Sequence, residues 1–263
     1  MFYLRRFLPF LTLLFCFNSS FCGERLTLGV SSNFLATMKI LKKEFEKTHT
    51  TRISLVSGPT GLLYAQIKRG SPIDIFLSAD EKRPRLLEAD GLIHPDGLFN
   101  YALGQLVIVR KKGSTLSLNL NELKKDSSGL RFFAIANPKT APFGKAGAEV
   151  LKNYGLYEEL QSKGKLVQGE NIGKAFQYVS MGHADLGIVS RSFVLDGRMG
   201  SRIGSFAEVN PTLYKPIKQF GVVLKGKMRK EVEAFLNFLK SKKAKFIISG
   251  MGYGLPKVKV SQL

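Results

Sequence analysis

Four short turns carry the residues whose types and spacing point to chemistry: VSSNF at 30–34, SGPTG at 57–61, APFGK at 141–145 and ENIGK at 170–174. Each lies between a strand-like stretch and a helix-like one. Each offers hydroxyls, an amide, or main-chain N–H groups that a first helical turn leaves without intrahelical partners. Such groups, together with the partial positive charge of a helix N-terminus, favour an anion. Any single turn is explained by ordinary capping, because Ser, Thr, Asn and Gly are common caps. The set of four points to anion-facing turns around one cleft.

Catalytic motifs come close and fail on spacing. GVSSN at 29–33 lacks the last Gly of a nucleophile elbow. Gly169-Glu-Asn-Ile-Gly173-Lys174 has one residue too few between its glycines for a phosphate-binding loop, and no Ser or Thr follows the Lys. His49, His94 and His183 lie far apart with no metal-ligand spacing, so no metal site is expected. Asp74 alternates with apolar residues in a strand, and Asp80 lies in the capping-box pattern Ser78-Ala-Asp-Glu81, so structural roles are expected for both. The run Lys240-Ser-Lys-Lys-Ala-Lys245 has no interleaved aromatics to stack on bases, which makes it a solvated helix end rather than a nucleic-acid site.

The elements that must position the four turns follow from periodicity. Leu26, Leu28 and Val30 alternate as a strand, and Phe34, Met38, Leu41 and Phe45 repeat at helical spacing. Strand 52–56, helix 61–69, strand 73–77 and a helix at 80–90 continue the series. This βαβαβ order predicts parallel pairing. A second series has strands at 105–110, 131–136, 165–168 and 185–189 and helices at 144–154 and 172–181. An extended stretch at 213–224 leads to an amphipathic helix near 228–239. Two lobes are expected, 23–104 with 216–263 and 105–215, joined by crossovers near 103–106 and 213–217, with the last helix returning to the first lobe.

A chain of 263 residues, 44% hydrophobic, can bury a full core for such lobes. The 40 Lys and Arg against 20 Asp and Glu give a net charge of +20, which suits nucleic acid, an anionic membrane or a small anion, and alone does not choose. Arg5 and Arg6 precede an apolar run from Phe7 to Phe17 that is too short to span a bilayer and is shaped like a secretory signal. Residues 1–22 are therefore expected to be a cleavable signal peptide, with export to the periplasm. Cys16 and Cys22 both fall inside it, so the mature chain is expected to have no disulfide and no thiol chemistry.

SGPTGLLYAQIKRGSPIDIFLSAD, with VSSNF before it and NPKTAPFGKAG and ADLGIV after it, resembles the periplasmic molybdate-binding proteins of ABC transporters along essentially the whole mature chain. The resemblance implies an α/β, two-lobed type II periplasmic binding fold, each lobe a mostly parallel sheet flanked by helices, with the ligand cleft between lobes. It implies a monomer without catalysis or cofactor that binds molybdate or tungstate and serves an inner-membrane permease with its ATPase. Carried over by motif, the first-lobe ligands fall on Ser32, Asn33 and Thr60, with Gly61 a further candidate. The second-lobe ligands fall on Phe143 and Ile172, which contribute main-chain N–H groups. One branch of the family has Ser where this chain has Asn33 and a Tyr donor where it has Ser190, so Ser190 is a candidate for the last side-chain donor.

The chemistry of these residues agrees with that resemblance. Neutral donors neutralise a dianion without leaving a buried cation when the site is empty. They supply no carboxylate to accept the O–H of hydrogen phosphate. Molybdate and sulfate differ only in size at such a site, so a receptor for sulfate or thiosulfate is the alternative within the class. A basic periplasmic hydrolase or nucleic-acid-binding protein is the alternative outside it.

Overall fold

Leu26, Leu28 and Val30 line one fully buried face of the first strand, so the alternation that marks it in the sequence is the alternation that seats it in the core. The computed structural model describes residues 24–256; the expected leader and both cysteines lie outside the described residues. The chain begins with β1 (Arg25–Ser31), a tight turn of helix at Ser32–Phe34, α1 (Leu35–Phe45), β2 (Arg52–Gly58), α2 (Thr60–Lys68), β3 (Ile75–Leu77), α3 (Lys82–Ala89) and the long β4 (Ile93–Gly104). It crosses at Gln105 into β5 (Leu106–Lys111), α4 (Leu120–Lys125), β6 (Phe133–Ala136), α5 (Pro142–Asn153) and α6 (Tyr157–Ser162). β7 (Leu166–Gly169), α7 (Ile172–Ser180), β8 (Leu186–Ser190), α8 (Arg191–Leu195), α9 (Gly197–Gly200) and β9 (Ile203–Glu208) follow. It then returns through β10 (Ile217–Leu224) to α10 (Lys230–Lys240) and α11 (Lys242–Gly250).

Each lobe is a five-stranded sheet, ordered β2-β1-β3-β10-β4 and β7-β6-β8-β5-β9. The βαβ units pair in parallel as expected: β1 with β2 and β3, and β6 with β7 and β8. The sheets are nevertheless mixed. β10 runs antiparallel to β3 and β4, and β5 runs antiparallel to β8 and β9. The strands that enter each sheet from the other lobe arrive without the helical crossover that parallel neighbours need.

Helices cover both faces of the first sheet. Phe34, Met38, Leu41 and Phe45 meet Phe235 and Leu239 of α10 on one face, while Leu63, Ile67 and Leu87 pack on the other. In each lobe a buried carboxylate ties strand to loop. Asp74 accepts from Thr27 N at 2.7 Å and from both terminal nitrogens of Arg229 at 3.0 and 3.1 Å. Asp185 accepts from Arg131 N at 2.7 Å and pairs with Lys111 at 2.5 Å. Burial opposes its ionisation, yet Lys111 and the N–H groups of Arg131 and Phe132 hold the carboxyl below the ordinary range.

The expected capping box before α3 is rearranged. Asp80 is the residue that accepts from Arg83 N, at 3.0 Å, while Ser78 Oγ donates to Asp80 Oδ1 at 3.0 Å. Glu81 turns outward to Arg85, because the helix starts three residues later than the box requires.

Candidate functional site

Four helix N-termini, two from each lobe, meet around one small cavity. It is lined by Ser32, Asn33, Pro59, Thr60 and Ala79 from the first lobe and by Ala141, Pro142, Phe143, Asn171 and Ile172 from the second. The structure thus brings together all of Ser32, Asn33, Thr60, Phe143 and Ile172. None of the lining residues is charged.

Ordinary capping accounts for only one of the four turns. Asn171 caps α7, its Oδ1 accepting from Lys174 N at 3.0 Å. The N-cap positions of the other three helices are held by Ser31, Pro59 and Ala141, and no side chain caps them. Thr60 stands inside α2, not at its cap. The first N–H to bond within α2 is that of Leu62, to Pro59 O at 3.0 Å, so those of Thr60 and Gly61 precede the ladder. In α5 the ladder begins with Lys145 N to Ala141 O at 3.0 Å, after Phe143 and Gly144. In α7, Ile172 and Gly173 likewise precede Lys174. The cavity is therefore faced by unpaired main-chain donors at the positive ends of helix dipoles.

Side-chain donors divide in two. The hydroxyl of Ser32 has no hydrogen-bond partner among the described residues, and the buried Thr60 Oγ1 lies 2.9 Å from Ser31 Oγ. Asn33 turns its amide inward, donating to Gln219 Oε1 at 2.9 Å and to Tyr253 Oη at 3.2 Å. Both amide hydrogens are thereby used, and the donor Asn33 leaves for a ligand is its main-chain N–H. Behind it, Tyr253 Oη donates to Asn33 O at 2.6 Å, and Ser192 Oγ, from the second lobe, donates to the same carbonyl at 3.1 Å. Burial pushes the Tyr253 phenol up to about 12 and the Tyr101 phenol well above its ordinary value, so both remain neutral donors.

Ser190 and Gly61 stand apart from this cavity. Ser190 is fully buried at the end of β8, its Oγ 2.9 Å from Ser192 Oγ, and belongs to the network beneath Asn33. Gly61 faces the Arg83 guanidinium and the carbonyl of Thr140. Gln219, Tyr253 and Ser192 escaped the sequence reading, and Ser31 entered it only as a hydroxyl of the VSSNF turn. Gln219 alone left a signal, as a polar residue on the inward register of β10 between Ile217 and Gly221.

Beside the cavity a cleft of about 670 Å³ opens between the lobes and shares Ala79, Ala141 and Pro142 with it. Its rim carries Lys82, Arg83, Lys139, Lys145, Lys215 and Lys218 against Asp80, Glu81 and Glu149. Arg83 spans the gap, paired with Asp80 in its own lobe and donating to Thr140 O of the other at 3.4 Å. No group of His, Cys, Asp and Glu among the described residues is arranged to hold a metal ion.

Residues 26–254 match the bacterial extracellular solute-binding protein family. The molybdate-binding protein ModA of Azotobacter vinelandii is 40% identical over 229 residues, covering 86% of this chain and 88% of that one. ModA of Rhodobacter capsulatus is 38% identical over 234 residues, 86% of each. The solved periplasmic molybdate-binding protein of Azotobacter vinelandii superposes with a TM-score of 0.80 at 34% identity, covering 88% of this chain and all of that one. This chain belongs to the bacterial extracellular solute-binding proteins, and among them to the ModA-type proteins with the two-lobed type II periplasmic binding fold.

Proposed function

We propose that this protein captures molybdate, or tungstate, between its lobes in the periplasm and hands it to an inner-membrane ABC permease driven by its ATPase. The observation that carries the reading is the convergence of four helix N-termini on a cavity whose lining has donors from both lobes and no charged side chain. Ser32 and Thr60 offer hydroxyls, and Asn33, Thr60, Phe143 and Ile172 offer main-chain N–H groups. A tetrahedral dianion can accept from both lobes at once, so its binding favours the closed arrangement of the lobes. The lining holds no carboxylate to accept a proton from hydrogen phosphate, which disfavours that ion. The same donors suit sulfate, and the choice of molybdate rests on the ModA relatives.

Thermal unfolding of ligand-stripped protein tests this reading. Ligand at about 100 times its dissociation constant adds roughly 2.7 kcal/mol. For a chain of this size that is a rise of about 5–10 °C. The rise is expected with molybdate and tungstate and not with phosphate. An equal rise with sulfate at matched concentration would assign the site to a general dianion receptor.

A further inference from the structure

Ser31 does not line the cavity, yet its hydroxyl touches a buried side chain that does, that of Thr60. It is the last residue of β1, 1% exposed, with Oγ 2.9 Å from Thr60 Oγ1. The main-chain N–H of Ala79, just beyond β3, donates to the same Ser31 Oγ at 3.0 Å. A serine hydroxyl has one proton and two acceptor sites. Ala79 takes one acceptor site, and the proton has Thr60 Oγ1 as its only partner among the described residues.

The direction of the Ser31–Thr60 bond follows. If Thr60 donated to Ser31, the buried Ser31 proton would have no acceptor, a state that carries the full desolvation penalty. If Ser31 donates to Thr60, the Ser31 hydroxyl is fully satisfied, and the one proton left over is that of Thr60, on a residue that lines the cavity. We infer that Ser31 is a positioning residue that fixes the Thr60 hydroxyl as a donor toward the bound anion, at the end of a chain running from Ala79 N–H through Ser31 to Thr60. Donors aligned head to tail polarise one another, so the last one binds an anion more strongly than an isolated hydroxyl does. The inference rests on the reading of Thr60 as an anion ligand.

The test is a double-mutant cycle read by calorimetric titration of the mature chain with sodium molybdate, using Ser31→Ala, Thr60→Ala and the pair. Ser31→Ala is expected to weaken binding about three- to tenfold in the parent and to change nothing further in the Thr60→Ala background. Equal losses in both backgrounds, or no loss in the parent, would overturn the inference while leaving Thr60 a ligand. Parent-like affinity of Thr60→Ala would instead overturn the reading of Thr60, and the inference with it. Ser31→Cys, which keeps a side chain of similar shape but donates weakly, provides the same comparison should the alanine variant not fold, and is expected to weaken binding in the same direction. A purely structural role for Ser31 would lower the urea midpoint of these variants without altering their affinity.

Discussion

Asn33 Nδ2 donates to Gln219 Oε1 at 2.9 Å, joining the first turn after β1 to the strand that returns from the second lobe. The same Oε1 accepts from Tyr101 Oη at 2.9 Å, while Gln219 Nε2 is buried without a partner among the described residues. Replacing Gln219 by Leu removes the shared acceptor and strands one Asn33 hydrogen; Tyr101 retains Ser78 O at 3.1 Å. Ligand-free Gln219→Leu is expected to lose about 1–3 kcal/mol of unfolding free energy in urea. Unchanged stability would show that the network does not hold the Asn33 turn.

The contrast between Thr60 and Asn33 marks how far the sequence carries. The four turns were legible because a strand, a short polar turn and an amphipathic helix each leave a local pattern, and the structure gathers those turns at one place. Which way a side chain turns leaves no such pattern. The direction of the Asn33 amide is decided by Gln219 and Tyr253, both distant in the chain. Strand β4 leaves no strand pattern in the sequence where it opens with His94, Pro95, Asp96 and Gly97; as an edge strand, paired along its length with β10, it tolerates them. The antiparallel half of each sheet was equally hidden, since it depends on which lobe a strand arrives from.

Gly104, at the end of β4, packs against the ring of Phe143 from the second lobe. A Cβ there would lie 2.6 Å from Phe143 Cζ and 3.1 Å from Gln219 Nε2. Gly104→Ala must therefore push the ring, and with it the main-chain N–H proposed to meet the anion. A stability loss of about 1–3 kcal/mol is expected, with molybdate affinity lowered as well. Adding Phe143→Leu should relieve the clash, so that the pair loses less than the sum of the single variants. Additive losses would place the strain elsewhere.

Acid sensitivity should appear at Glu159 on α6. Lys124 Nζ at 2.6 Å and Lys163 Nζ at 2.8 Å hold its carboxyl at about 2. A folded value below the ordinary 4.5 means that the unfolded chain takes up the proton first as pH falls. The stabilisation is thus present above about 4.5 and is lost on the way down to about 2. Glu159→Gln lacks it at every pH, so the gap in urea midpoint between parent and variant is expected to close between pH 5 and pH 2.5. A gap that stays constant across that range would mean that the two lysines contribute nothing beyond screened surface contact.

Thr60 separates the anion-binding reading from plain helix stabilisation most sharply. Its hydroxyl makes no capping bond, since Pro59 holds the N-cap position of α2, and it faces the cavity with its own N–H unpaired. Thr60→Ala removes a hydrogen bond to a charged group, worth about 1.5–3 kcal/mol, so molybdate affinity should fall by about ten- to a hundredfold. Thr60→Ser keeps hydroxyl and N–H and should bind nearly as the parent does. The control is Asn119→Ala, which removes the cap that accepts from Asn121 N at 2.9 Å on α4; it should lose about 1 kcal/mol of stability with affinity intact. Calorimetric titration beside urea unfolding of the ligand-free forms distinguishes the two patterns. If Thr60→Ala follows Asn119→Ala and keeps its affinity, the hydroxyl is no ligand, and Ser32, whose Oγ has no partner among the described residues, is left as the side-chain donor of the first lobe.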